Sequence, residues 1–367
     1  MLKTIKLKNF KCFKQINIPL SSVNLLSGLN GMGKSTVVQS LLLLRQSFEQ
    51  NLLDRELALN GNLVNIGTGR DLLYEYAEQP ERIEIILEMY NEGINSWSYV
   101  YKPESDVLKI HDKRCDEELT NFSLFNNNFE YICAERLGPR NLYPKSSMIV
   151  SEKQQLGIAG EYTGHYLLLY GDKSISNIKA KCSESSDSSL TYQVQYWLNE
   201  VSPGIKLSFE DYRNADSVGL QYRIDGIQIS KNHRPSNVGF GVTYILPVIV
   251  ALLKAKLGDL IIIENPEAHL HPQGQRKIGE LIARVASGGV QIIVESHSDH
   301  VLNGIRLSVR NGLLPGEKVK LHFFEKQSSE TETYHKITSP SIKSDGRLTM
   351  WPNGFFDEWD KALEELF

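Results

Sequence analysis

Three short segments hold residue types, in an order along the chain, that can handle a phosphate chain. The first is Gly28-Leu29-Asn30-Gly31-Met32-Gly33-Lys34-Ser35, followed by Thr36. Glycines let the backbone turn tightly, so that successive N–H groups face phosphate oxygens. A helix starting at the lysine adds the positive end of its dipole. At this spacing Lys34 reaches the β- and γ-phosphates and the Ser35 hydroxyl ligates Mg²⁺. The residues expected to bind the nucleotide here are Asn30, Gly31, Gly33, Lys34, Ser35 and Thr36. No Asn-Lys-x-Asp guanine-reading segment occurs, so ATP with Mg²⁺ is the expected pair.

The second segment is Leu260-Ile261-Ile262-Ile263-Glu264-Asn265-Pro266-Glu267. A fully apolar strand ending in an acid places a carboxylate at the strand's C-terminal end, where ligands bind in α/β sheets. Glu264 is expected to hold Mg²⁺ through water. The third is Val290 to Val294, then Glu295-Ser296-His297-Ser298. A histidine at the end of the next buried strand can sense a γ-phosphate. Four histidines, His269, His271, His297 and His300, cluster near these strands, with Glu295 and Asp299. Their spacings are ligand-like, but the phosphate loop accounts for the region better, and His271-Pro272 reads as a helix start.

These segments need strands and helices to hold them. Residues 1–20 read as two short strands with a turn. Val23–Leu26 reads as a buried strand feeding the loop, and Lys34–Phe48 as a helix. Residues 82–90 and 96–102 read as a strand pair turned at 91–95, and 104–130 as polar and irregular. Residues 131–150 begin as a strand and become a loop. Helices are expected at Tyr162–Tyr170 and Leu190–Val201, with a Ser-rich loop at 183–189. A hairpin is expected from Leu220–Ile224 to Ile227–Ile229, turned by Asp225-Gly226. Helices at 240–256, 272–287 and His300–Asn311 alternate with the two apolar strands. That alternation predicts an α/β fold: a mostly parallel sheet covered by helices, with an antiparallel β subdomain and an inserted helical and β region. The segments read as an N-terminal lobe (1–150), an insertion (151–235), a C-terminal lobe (236–325) and a tail or cap (326–367).

Composition sets limits. The chain has 367 residues, 41% apolar and 23% charged, with a net charge of −4, so no global basic field draws it to nucleic acid. A local patch from Lys3, Lys6, Lys8, Lys11 and Lys14 reads first as a solvated strand face. Four scattered cysteines argue against a disulfide framework and a zinc module. The start carries no secretory leader pattern, and the most apolar run, Val242–Leu253, is short of the ~20 residues that span a bilayer. A cytoplasmic protein with no membrane partner is expected.

The three segments in this order resemble the ABC-type ATPases of the RecF, SMC and OLD group. The opening Ile5-Lys6-Leu7-Lys8-Asn9-Phe10-Lys11, the loop, Glu264-Asn265-Pro266-Glu267-Ala268-His269-Leu270-His271-Pro272 and Glu295-Ser296-His297-Ser298 carry the resemblance. The tail Trp351-Pro352-Asn353-Gly354-Phe355-Phe356-Asp357-Glu358-Trp359 and Ala134-Glu135-Arg136-Leu137-Gly138-Pro139-Arg140 look like a bacterial branch associated with phage defence. The resemblance implies that two heads sandwich two ATP molecules, as a homodimer or larger homo-oligomer. It implies that Ser236-Asn237-Val238-Gly239-Phe240-Gly241 meets the partner's γ-phosphate through Ser236, Gly239 and Gly241. His297 matches the switch histidine. Action on DNA, or on a nuclease or other effector partner, is a further implication, since no nuclease motif is seen. Arg136 and Arg140 are candidates for phosphate or DNA contact, or for surface ion pairs. The tail reads as a packing cap or a partner contact.

One departure bears on rate. The group's usual Asp-Glu pair is Glu264-Asn265 here. An amide can orient a water but cannot take its proton. Slow hydrolysis is therefore expected, with Glu267 or a partner residue as the substitute base. The competing readings are a regulatory nucleotide-binding module with little hydrolysis, a transporter nucleotide-binding subunit and a small-molecule kinase.

Overall fold

The computed structural model describes every residue except 92, 117, 183–185, 225–230, 329–332 and 367. In chain order, β1 (Leu2–Phe10), β2 (Phe13–Pro19) and β3 (Val23–Gly28) lead into α1 (Lys34–Glu49). β4 (Glu56–Ala58), the single turn α2 (Gly69–Leu72), β5 (Arg82–Met89), β6 (Ile94–Val100) and β7 (Val107–Cys115) follow. Next come β8 (Phe129–Ile132), β9 (Leu142–Pro144), α3 (Thr163–Tyr170), α4 (Leu190–Val201), β10 (Ile205–Tyr212) and β11 (Ser217–Ile224). The chain continues through α5 (Phe240–Lys254), β12 (Leu260–Glu264), α6 (Pro272–Ser287), β13 (Gln291–Glu295) and α7 (Asp299–Arg310). It ends with β14 (Val319–Ser328), β15 (Thr333–Thr338) and α8 (Glu358–Leu366).

The chain divides into two compact units, Met1–Asn126 with Val319–Ser341 and Met350–Phe367, and Asn127–Lys318 with Ile342–Thr349. In the first unit an antiparallel sheet runs β2-β1-β5-β6-β7-β4. Beside it, β3 pairs in parallel with β14, which pairs antiparallel with β15. Alternation builds the antiparallel sheet: β5 buries Ile83, Ile85, Leu87 and Met89 and turns the residues between them outward. The outward lysines of β1 find cross-strand carboxylates, Lys6 with Glu88 and Lys8 with Glu84 at 3.0 Å. Two of the five lysines of this face are thus neutralised within their own sheet, and Lys14 pairs with Glu78 at 3.2 Å.

In the second unit β12 lies between β13 and β8, parallel to both. All three strands are almost wholly buried, which explains the apolar runs of β12 and β13. A second sheet, β10-β11-β9, is antiparallel.

The polar stretch 104–130 holds a nine-residue strand, β7, where irregular chain was expected. It is paired with β6 and β4, but only Leu108 on it is buried, so no alternation marked it. The strand at Ser217–Ile224 pairs with Ile205–Tyr212. The expected partner Ile227–Ile229 and turn Asp225-Gly226 lie outside the described residues. Part of the Ser-rich loop (183–185) does too. The tail packs as a cap on its own unit: Phe355 is fully buried, 5.4 Å edge-on from Phe323 and 5.6 Å from Trp351.

A buried histidine gives the first unit a pH dependence. His322 on β14 is enclosed, with Nε2 at 2.9 Å from the Pro19 carbonyl and Nδ1 at 2.9 Å from Ser339 Oγ. Burial holds its pKa down at about 4, against 6.5 when exposed. The folded chain therefore binds fewer protons than the unfolded chain between these values. The contribution is complete above pH 6.5 and is lost as pH falls toward 4, by at most about 3 kcal/mol. Urea unfolding midpoints should fall over that window, and His322→Asn should flatten the slope. An equal slope in both proteins would assign the acid sensitivity elsewhere.

Candidate nucleotide site

The phosphate loop has the backbone that its glycines forecast. Gly28, Gly31 and Gly33 adopt φ of 134°, 77° and 104°. Gly28 ends β3 against β14, where an added Cβ would lie 2.3 Å from the Phe324 carbonyl oxygen. Gly33 sits at the N-cap of α1, where a Cβ would lie 2.5 Å from the Phe13 ring and 2.8 Å from Cys12 Sγ. Both positions therefore require glycine. Lys34 is buried at the head of α1, its ammonium donating to the carbonyls of Gly28 (2.9 Å) and Leu29 (3.0 Å). Asn30, Gly31 and Ser35 face solvent at the helix N-terminus. Thr36 is buried instead, with its hydroxyl 3.7 Å from Cys12 Sγ.

One residue beside this loop carried no sequence signal. His335 on β15 lies beside the backbones of Cys12 and Gly31 and stands edge-on to Phe13 at 6.0 Å. Burial, then Lys326, pulls its pKa below the usual histidine value. It lies some 300 residues from the loop it touches, and only the fold brings it there.

The second unit assembles the acidic segment. Glu264 ends β12 and is held from both oxygens: Tyr131 OH donates to Oε1 and the Ala134 N–H to Oε2, each at 3.1 Å. The Glu264 charge adds to burial in pushing the Cys133 thiol up to about 11, and Tyr131 higher still above its usual value. Asn265 takes a left-handed φ of 44°; its N–H donates to the Glu295 carbonyl at 2.8 Å. Its side-chain oxygen is buried without a hydrogen-bond partner.

Glu267 does something the sequence did not foretell. Its Oε1 accepts the His297 N–H at 2.7 Å and its Oε2 accepts the Ser296 hydroxyl at 2.8 Å. Both oxygens are committed to shaping the turn that presents the exposed His297. A carboxylate so engaged braces the turn that carries His297. Ser298 caps α7, accepting the Val301 N–H at 3.1 Å. His271 caps α6, as its sequence position suggested. Among the described residues no group of three His, Cys, Asp or Glu side chains is arranged to hold a metal ion.

Arg136 corrects the expectation of a phosphate, DNA or surface contact. It is 2% exposed and donates to the carbonyls of Cys133 (3.1 Å), Glu264 (2.7 Å) and Asn265 (2.6 Å). Its guanidinium lies 5.3 Å from the Tyr244 ring centroid. It holds the peptides on which Glu264 and Asn265 are mounted. Arg136→Ala should cost on the order of 3 kcal/mol through unmet buried carbonyls, seen as a lower melting midpoint. Arg136→Lys should recover only part, because donors on one nitrogen cannot span acceptors that the guanidinium reaches from two. An unchanged midpoint in the alanine variant would contradict this role.

The segment Ser236–Gly241 opens α5. Ser236 and Gly239 are exposed, Gly239 is the N-cap, and Phe240 is 54% exposed. Gly241 approaches the chain closely, since a Cβ there would lie 2.4 Å from the His269 carbonyl oxygen. The helix start expected from the sequence is therefore present.

A glycine loop of this shape on a strand-to-helix turn, with acid-tipped parallel strands, defines a P-loop ATPase. Residues 1–137 match the family described as an AAA ATPase domain. Residues 183–303 match an AAA domain family described as a candidate AbiEii toxin of a Type IV TA system. Residues 314–366 match a family described as a protein of unknown function, DUF3696. The chain is 22% identical to the OLD nuclease of Thermus scotoductus, over 81% of this chain and 59% of that protein. It thus spans under two thirds of the relative's length. In structure it is similar to the SmcHead bound to the C-winged helix domain of ScpA (TM-score 0.52, 14% identity, 93% of this chain, 98% of that one). It is also similar to the Smc head domain with an extended coiled coil bound to the C-terminal domain of ScpA from Pyrococcus furiosus (TM-score 0.50, 14% identity, 100% and 99%). The fold is that of an SMC head, and two stretches of the chain match AAA-type ATPase domains. Among the described residues no helix is long and apolar enough to cross a membrane.

Proposed function

We propose that the protein is an ATP-operated switch that closes two copies around ATP and hydrolyses it slowly. In this reading Asn30, Gly31, Gly33, Lys34 and Ser35 hold the triphosphate, with Thr36 supporting the helix start. Ser35 and Glu264 serve Mg²⁺. Asn265 orients water, His297 senses the γ-phosphate, and Ser236, Gly239 and Gly241 meet the ATP of the second copy. The carrying observation is Glu267: its two oxygens are occupied by Ser296 and His297. With an amide at Asn265, the one carboxylate that follows Glu264 on this segment is Glu267, which is engaged in bracing the His297 turn. Positioning and electrostatics still support phosphoryl transfer, so turnover is slow rather than absent.

The switch acts on DNA or on a partner effector, and a nuclease is the partner type that the similarity to OLD nuclease favours. Phage defence is the biological setting that this reading fits. Turnover measured with and without DNA tests the output. Stimulation by DNA of about tenfold or more supports DNA as the input, and no change shifts the assignment to a protein effector.

A further inference from the structure

Within the second unit a cleft of about 200 Å³ opens between α3, the chain after it and the end of α5. Its lining includes Tyr166, Tyr170, Lys173, Ser176, Lys254 and Lys256. Lys254 and Lys256 precede β12, whereas Glu264 ends it. A five-residue strand separates the two places by about 16 Å. The cleft is thus at the opposite end of these strands from the acidic segment.

The charges in it are unevenly matched. Lys254 is bound to the buried Glu130 carboxylate at 2.6 Å and also donates to the Gln154 carbonyl at 2.8 Å. Asp259 accepts the backbone N–H of Lys256 at 2.8 Å. Three ammonium groups thus face two carboxylates. Lys173 and Lys256 are exposed, and among the described residues neither ammonium has a carboxylate at ion-pair distance. Lys173 instead rests 4.6 Å from the Tyr170 ring centroid. Tyr166 and Tyr170 stand 4.9 Å apart, and the Tyr170 hydroxyl is fixed by Gln154 Nε2 at 2.9 Å. Two exposed ammoniums with no carboxylate at ion-pair distance, a serine hydroxyl and a pair of tyrosine rings suit a dianion carrying a compact organic group.

We propose that this cleft binds a phosphomonoester of up to mononucleotide size, separate from the ATP loop. Lys173 and Lys256 receive the phosphate, and the tyrosine wall receives the organic part. The test uses the full chain carrying Lys34→Ala, which removes binding at the phosphate loop, and titrates AMP, inorganic phosphate and adenosine by calorimetry. AMP should bind more tightly than phosphate, and adenosine should not bind. Adding Lys173→Glu and Lys256→Glu should weaken AMP at least tenfold with the melting midpoint retained. If the charge reversal disturbs folding, Lys173→Met with Lys256→Met gives the same readout. AMP binding that disappears with Lys34→Ala alone, survives the double substitution, or is matched by adenosine or by inorganic phosphate would overturn the proposal.

Discussion

Lys34→Ala is expected to lower ATP turnover by at least about 10³-fold, through lost charge stabilisation of the β- and γ-phosphates. The structure adds a second consequence. The Lys34 ammonium bridges the carbonyls of Gly28 and Leu29. It therefore shapes the loop as well as reading its ligand, and binding should fail together with turnover. Lys34→Met, which keeps much of the side-chain volume, should fare little better. A variant that binds ATP normally and loses only turnover would mean that the loop is preformed without its lysine.

Asn265→Asp is expected to act in the opposite direction, raising turnover by up to about 10²-fold. A carboxylate beside Glu264 could accept the proton that an amide cannot, and general bases contribute on this scale. The backbone should tolerate the change: φ at Asn265 is 44°, and aspartate shares asparagine's tolerance of that region. The main-chain bonds to Glu295 and Arg136 do not involve the altered group. Glu267→Ala is the contrasting variant. It should leave ATP binding intact but release the His297 turn, so that turnover falls. Turnover unchanged in Asn265→Asp, alongside fast wild-type hydrolysis that survives Glu267→Ala, would remove the basis for a slow switch.

Much of the site was legible because its chemistry is local in sequence. The glycine loop, the apolar strand into Glu264 and the strand into His297 each declare themselves within about ten residues. The same holds for His271-Pro272, which caps α6. What was not legible depends on distance in sequence. Tyr131 and the Ala134 amide hold Glu264, and Arg136 holds the next peptides, from 128 residues or more away. His335 reaches Gly31 from β15. No periodicity encodes such meetings. β7 was hidden for another reason: a strand with one buried residue shows no alternation. Glu267 was visible but open in role, because a carboxylate near a catalytic pair reads equally as base or as brace. Its two hydrogen bonds show it bracing the His297 turn.

The most direct test is a structure of the full chain with Mg²⁺ and a non-hydrolysable ATP analogue. The account predicts two copies enclosing two nucleotides, with each triphosphate in the Gly28–Ser35 loop of one copy and facing Ser236–Gly241 of the other. A monomer with bound nucleotide, its Ser236–Gly241 segment far from any phosphate, would contradict it.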